Sequence, residues 1–194
     1  MDKGKEVIPR KLRVLDLFSG IIGGFSLGLE RTGGFETVAF CEIDPFCRRV
    51  LAKHWPDVPC FEDVTTLRGE DVGTVDVICG GFPCQPFSHA GKRRGKDDDR
   101  HLWPEMLRVI DELRPAWVIG ENVVGIINMA LDKVLSDLEA IGYASRPVVV
   151  PAVAVDAPHR RDRVWIIARD ARRLNADRNG RYVEQECAIR ARRT

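Results

Sequence analysis

The feature that most narrows the fold of this chain is an alternation of short apolar runs, rich in β-forming residues, with stretches of helical periodicity. Leu12 to Leu17 reads as a strand, Phe25 to Leu29 opens a helical pattern, Thr37 to Cys41 is a second strand and Pro45 to His54 a second helix. The pattern continues with Val75 to Cys79 as strand, Trp103 to Leu113 as helix, Ala116 to Gly120 as strand and Met129 to Ile141 as helix. Two further strand candidates follow, Arg146 to Val150 and Val164 to Ala168. Parallel neighbours need a crossover connection, so strands alternating with helices predict an α/β fold, doubly wound, with a mainly parallel sheet. Ligands of such sheets bind at the carboxyl ends of the strands. The unusual residues of this chain lie there.

Composition sets the outer bounds. A chain of 194 residues, 44% hydrophobic and 30% charged, has the make-up of one globular domain. The longest apolar stretches, Ala116 to Gly120 and Pro147 to Val155, fall far short of the roughly 20 residues that cross a bilayer, so no membrane association is expected. The charged start, Met1 to Lys11, lacks a secretory pattern and predicts a cytoplasmic location, with free thiols on all six cysteines. None of these forms a Cys-x-x-Cys pair, and no metal site is expected. The net charge is only +1, but Arg169 to Thr194 holds eight arginines against four acids. A surplus of that kind suits solvation or phosphate contact. Residues 1–168 are therefore read as one folded domain and 169–194 as a polar, Arg-rich tail with little order of its own.

The first strand runs into Asp16-Leu17-Phe18-Ser19-Gly20-Ile21-Ile22-Gly23-Gly24, a glycine-rich turn of the kind that lets backbone approach a ligand closely. The second ends at Cys41-Glu42-Ile43-Asp44, where an acid suits the ribose hydroxyls of an adenosine-containing cofactor, NAD included. Asp63 stands in another short connection and suits an adenine amino group or an ordinary turn.

After the strand Val75 to Cys79, Gly80-Gly81-Phe82-Pro83-Cys84-Gln85-Pro86-Phe87-Ser88 brackets one thiol between glycines and prolines, which suits a presented nucleophile better than a core cysteine. Glu121-Asn122-Val123 follows the strand that starts at Ala116. A carboxyl at an apolar strand end can be held protonated by desolvation, which makes Glu121 the candidate general acid; pairing with an arginine is its alternative.

Together these segments resemble the carbon-5 cytosine-specific DNA methyltransferase family over about Leu12 to Ala168. Asp16 to Gly20 matches the first cofactor motif, Gly80 to Ser88 the nucleophile motif, Glu121-Asn122-Val123 the Glu-Asn-Val motif, and Pro158 to Arg163 the Gln-x-Arg-x-Arg segment, with His159 in place of glutamine. The resemblance implies a Rossmann-like fold that binds S-adenosylmethionine. Asp16, Phe18, Ser19, Gly20, Gly23, Gly24, Glu42, Ile43, Asp63, Val64 and Pro83 would form the cofactor site. It implies further that the Cys84 thiolate adds to carbon 6 of a cytosine flipped out of double-stranded DNA, and that Glu121 protonates or hydrogen-bonds N3. Arg161 and Arg163 would hold the base and nearby backbone, and Gln85, Ser88 and Asn122 would contact the substrate.

Two departures carry expectations. The family has one residue between Gly20 and the glycine pair, where this chain has Ile21 and Ile22. The extra residue must bulge outward or shift the glycines from the ligand, and deleting Ile22 is expected to tighten cofactor binding. After residue 168 the family continues with a target-recognition domain and a last motif, neither of which is legible here. The chain is accordingly expected to show little sequence-specific activity alone. It is read as a catalytic part, with a non-catalytic remnant, or one half of a split enzyme that binds DNA or a second chain carrying the recognition domain, as the alternative.

Overall fold

The computed structural model describes residues 10–83 and 102–173. Four residues of β1 (Leu12–Leu17), Val14 to Leu17, are buried, as befits the central strand of a sheet covered on both faces. Six more strands join it: β2 (Phe35–Cys41), β3 (Cys60–Phe61), β4 (Val77–Gly80), β5 (Trp117–Val123), β6 (Tyr143–Pro151) and β7 (Asp162–Asp170). Their spatial order is β3-β2-β1-β4-β5-β7-β6. The pairs β1–β2, β1–β4, β2–β3 and β4–β5 are parallel, while β7 runs antiparallel to both β5 and β6. The expected α/β sheet is therefore present, and its order reverses between β1 and β4. A crevice opens at such a switch point.

Among the described residues, helices cover both faces. Phe25 and Leu29 of α1 (Gly24–Glu30) pack over Val14, Val77 and Cys79. On the opposite face lie α3 (Gly69–Val72), α4 (Trp103–Leu113), α5 (Ile126–Met129) and α6 (Leu131–Ala140), over Leu15, Leu17 and Ile78. In α4 the buried residues Trp103, Met106, Val109 and Ile110 recur at helical spacing, and the helix ends at Arg114, in the left-handed conformation just before Pro115. Truncating a fully buried side chain such as Leu138 costs about 2–5 kcal/mol, because packed neighbours do not refill the space. The remaining helix, α2 (Pro45–His54), starts with Pro45 and is capped by Asp44, whose carboxylate accepts from Phe46 N at 2.7 Å and Cys47 N at 3.3 Å.

The helix expected from Met129 to Ile141 is in fact two. Ala130, at φ −151°, interrupts the chain between α5 and α6, and buried side chains on both sides of the break, Ile126 and Leu131, take their places in the core. The strand expected from Arg146 to Val150 starts earlier, since Tyr143 is buried and donates its hydroxyl to Pro115 O at 2.7 Å. The last strand runs on to Asp170, which accepts from Arg172, while Arg169 lies over the Trp117 ring. Part of the arginine surplus is thus engaged within the protein. No helix among the described residues is long and apolar enough to cross a membrane.

Candidate active site

Strand register builds the site. Phe61, Cys41, Leu17, Gly80 and Gly120 stand in one row across the five parallel strands. One residue further along, Glu62, Glu42, Phe18, Gly81 and Glu121 emerge on one edge of the sheet. Glycine is required within the row, because a Cβ on Gly80 would stand 2.7 Å from Leu17 O.

Asp16 is wholly buried, and one of its oxygens accepts from Ser26 N at 3.2 Å and Ser26 Oγ at 2.7 Å, which ties β1 to the start of α1. Its other oxygen has no hydrogen-bond partner among the described residues. Burial raises its pKa from 3.8 to about 6, against the opposing effect of the Ser26 bonds. The folded protein thus holds this proton more tightly than the unfolded chain. The stabilisation is complete below pH 4 and is lost as pH rises through about 6. It amounts to a few kcal/mol in all, because each tenfold gain in proton affinity is worth roughly 1.4 kcal/mol. Urea unfolding of wild type and Asp16→Asn is therefore expected to give a stability difference that changes between pH 4 and 6. A difference that stays flat across that window would contradict the account of this group.

Past Asp16 the backbone turns with positive φ at Phe18, Gly20 and Gly23. Gly20 N donates to Glu42 Oε2 at 2.7 Å, and Asp44 N donates to Glu42 Oε1 at 2.9 Å. One carboxylate thus fastens the glycine loop to the end of β2. Gly23 lies close against α2, where a Cβ would come within 3.1 Å of Leu51 Cδ2, and its φ of 51° also favours glycine. With the loop held at Gly20 and Gly23, Ile21 and Ile22 project outward, 45% and 61% exposed. Of the two outcomes expected for the extra residue, the structure adopts the bulge. Ile22→Ser should accordingly change S-adenosylmethionine affinity less than about threefold, well under 1 kcal/mol, by calorimetry. A larger change would place Ile22 in contact with the cofactor.

Between these loops is a pocket of about 200 Å³ lined by Phe18, Cys41, Glu42, Ile43, Glu62, Asp63, Val64, Pro83 and Leu102. Asp63 accepts from Thr65 N and Thr65 Oγ1 through Oδ1, both at 2.8 Å. Arg48 reaches behind the wall, donating to Glu42 O, Ile43 O and Glu62 Oε1. Six of the expected cofactor residues, Phe18, Glu42, Ile43, Asp63, Val64 and Pro83, line this pocket; Asp16, Ser19, Gly20, Gly23 and Gly24 are not among its lining. Ser19 donates to Asp16 O and Gly24 begins α1. Cys41, Glu62 and Leu102 are additions that sequence reasoning does not supply. Register alone singles out Glu62, as the neighbour of Glu42 in the row.

A second pocket, of about 270 Å³, is lined by Phe82, Pro83, Glu121, Asn122, Val123, Arg161 and Arg163. Arg163 Nε pairs with Glu121 Oε1 at 2.7 Å, so the carboxyl stands in the pocket and has the arginine partner that was its alternative. Arg161 holds a positive φ of 35° at the start of β7. Asn122 is 5% exposed; it donates to Phe82 O at 2.8 Å and accepts from Val123 N at 2.9 Å. Expected to contact substrate, it is among the lining of this pocket and also fixes the backbone of Phe82. Pro83 lines both pockets, which therefore meet at the residue before Cys84. Cys84, Gln85 and Ser88 lie outside the described residues, as does most of the Arg-rich tail. No cluster among the described residues has the make-up of a metal site.

A seven-stranded, mainly parallel sheet with a carboxylate-lined pocket at its switch point has the Rossmann-like fold of S-adenosylmethionine-dependent methyltransferases. The chain belongs to the C-5 cytosine-specific DNA methylase family, whose model matches residues 12–188. It is 33% identical over 174 residues to type II methyltransferase M.MspI of Moraxella sp, an alignment covering 87% of this chain and 41% of that protein. Type II methyltransferase M.Eco47II of Escherichia coli is 38% identical over 167 residues, with 80% and 39% covered. The chain thus spans about two fifths of the length of these relatives. In fold it is similar to a mutant DNMT2 of Spodoptera frugiperda, with a TM-score of 0.72 at 24% identity, covering 83% of this chain and 50% of that one.

Proposed function

We propose that this chain carries the catalytic centre of a DNA cytosine-5 methyltransferase that uses S-adenosylmethionine, with Cys84 as nucleophile. The observation that carries the proposal is that Pro83, the residue before Cys84 in the sequence, lines both the carboxylate-lined pocket and the Glu121–Arg163 pocket. The first pocket suits the adenosine of the cofactor, with Glu42 toward the ribose hydroxyls, Asp63 toward the adenine amino group, and Phe18 and Ile43 as apolar walls. Its three carboxylates, Glu42, Glu62 and Asp63, suit a sulfonium cation and repel the phosphates of NAD; no lysine or arginine is among its described lining. When bound, the cofactor supplies an electrophilic methyl group.

The rest follows from side chains. Cytosine hidden in a duplex must rotate into the pocket, at a cost of a few kcal/mol. The Cys84 thiolate forms a bond to carbon 6, and Glu121 donates to N3 as charge builds there. Carbon 5, now an enamine carbon, would then be able to take the methyl group from the sulfur of the bound cofactor. Loss of the carbon 5 proton to a base then expels the Cys84 thiolate and restores the ring. Arg163 orients Glu121 through the 2.7 Å pair, and Arg161 beside it suits the base carbonyl or a phosphate oxygen. Double-stranded DNA is the proposed partner.

The cofactor reading is tested by calorimetry with S-adenosylmethionine and NAD on wild type and Glu42→Ala. Binding of S-adenosylmethionine alone, weakened by on the order of tenfold or more in the variant through loss of hydrogen bonds to a charged group, is expected. Binding of NAD, or indifference to Glu42, would overturn it.

A further inference from the structure

We propose that Arg48 is a positioning residue for the cofactor, fixing the span between the loop that carries Glu42 and Ile43 and the loop that carries Glu62 and Asp63; the inference rests on the reading of that pocket as the adenosine site. One guanidinium serves both loops. Its Nη1 donates to Glu42 O at 3.1 Å and to Ile43 O at 2.8 Å, and its Nη2 donates to Glu62 Oε1 at 3.1 Å. All three acceptors belong to residues that line the pocket, whereas Arg48 is not among its lining. The planar fork of an arginine can hold two loops at a set distance, which the single nitrogen of a lysine cannot.

The sheet ties these loops together weakly. β3 is an edge strand of two residues, paired with β2 as Phe40 with Cys60 and Cys41 with Phe61, and Glu42 N adds one bond to Phe61 O at 3.0 Å. Asp63 and Val64 follow in a turn whose far end is tied to α4, because Arg108 Nη2 donates to Val64 O at 2.8 Å and its Nη1 to Leu67 O at 3.0 Å. Arg48 supplies the near end. The Glu62 side chain is 76% exposed, and an ion pair so open to water adds little to stability. Its effect is on geometry instead. The network continues inward, since the Glu42 carboxylate accepts from Gly20 N and Asp44 N, so that the glycine loop, the end of β2 and the turn after β3 are joined around one pocket. A carboxylate meant for ribose hydroxyls and one meant for an adenine amino group serve a single ligand only at a fixed separation.

The test is calorimetry of S-adenosylmethionine and S-adenosylhomocysteine on wild type, Arg48→Met and Arg48→Lys. The two ligands share the adenosine and differ in charge at sulfur, so they separate placement from electrostatics. Arg48→Met is expected to weaken both on the order of tenfold and by equal factors, because the span fails for the part they share. Arg48→Lys, which keeps the charge without the fork, should recover only part of the loss for either ligand. A second readout needs no ligand: by NMR, exchange of the Gly20 and Asp44 amides with water should quicken in Arg48→Met while backbone amides of β1 keep their protection. Should Arg48→Met not fold, Arg48→Lys carries the same comparison. Unchanged affinities, or tighter S-adenosylmethionine with S-adenosylhomocysteine unmoved, would make Arg48 a surface cation and overturn the proposal. Losses accompanied by lost protection in β1 would make it a support of the fold and overturn it equally. If wild type binds neither ligand, the adenosine reading falls, and exchange at Gly20 and Asp44 alone decides whether Arg48 holds the loops.

Discussion

Cys84→Ala is expected to abolish methyl transfer to cytosine and to leave S-adenosylmethionine affinity unchanged. Carbon 5 of cytosine is too weak a nucleophile to take a methyl group until a thiolate has added at carbon 6, so no slower version of the same route remains once the sulfur is gone. Cofactor affinity should survive, because the residues suited to the adenosine, Phe18, Glu42, Ile43 and Asp63, come from β1, β2 and the turn after β3. Residual transfer by the alanine variant would assign the nucleophile elsewhere. Loss of cofactor binding along with transfer would mean that the substitution had disturbed the fold.

Glu121→Gln is expected to lower turnover on the order of a hundredfold, within the usual range for removal of a general acid. Glutamine keeps the size of the side chain and can still accept from Arg163 Nε, which sits 2.7 Å from Glu121 Oε1. It cannot hand over a proton. The loss should therefore appear in kcat, with DNA affinity little changed, whereas Arg163→Met should affect both, since it releases the carboxyl and removes a cation from the pocket. Unchanged turnover in Glu121→Gln would remove this carboxyl from the chemistry and leave the ion pair as a support for β5 and β7.

The parts of the fold legible in the sequence are those whose burial is continuous. Leu12 to Leu17 reads as a strand because the central position of β1 demands apolar side chains on both faces, and Trp103 to Leu113 reads as a helix because one face is buried at helical spacing. Cys60–Phe61 and Gly69–Val72 escape such a reading, since two or four residues carry no period, and the break at Ala130 has no glycine or proline to announce it. Much the same holds for the site. Glu42, Asp63 and Glu121 stand out because acids at strand ends are chemically conspicuous. Arg48 does not, because its role depends on what it touches from behind, and the outward course of Ile21 and Ile22 follows from two anchors, Gly20 on Glu42 and Gly23 on α2, that only the folded loop brings into view.

The central claim, attack by Cys84 on cytosine beside the cofactor pocket, is tested most directly by mass spectrometry of the protein after incubation with S-adenosylmethionine and duplex DNA carrying 5-fluorocytosine. The fluorine blocks departure from carbon 5 after methylation, so the protein remains attached to the base. The account predicts a DNA adduct that depends on S-adenosylmethionine, is absent with S-adenosylhomocysteine, and maps on digestion to the peptide containing Cys84. An adduct on any other residue, or an undiminished adduct from Cys84→Ala, would contradict it.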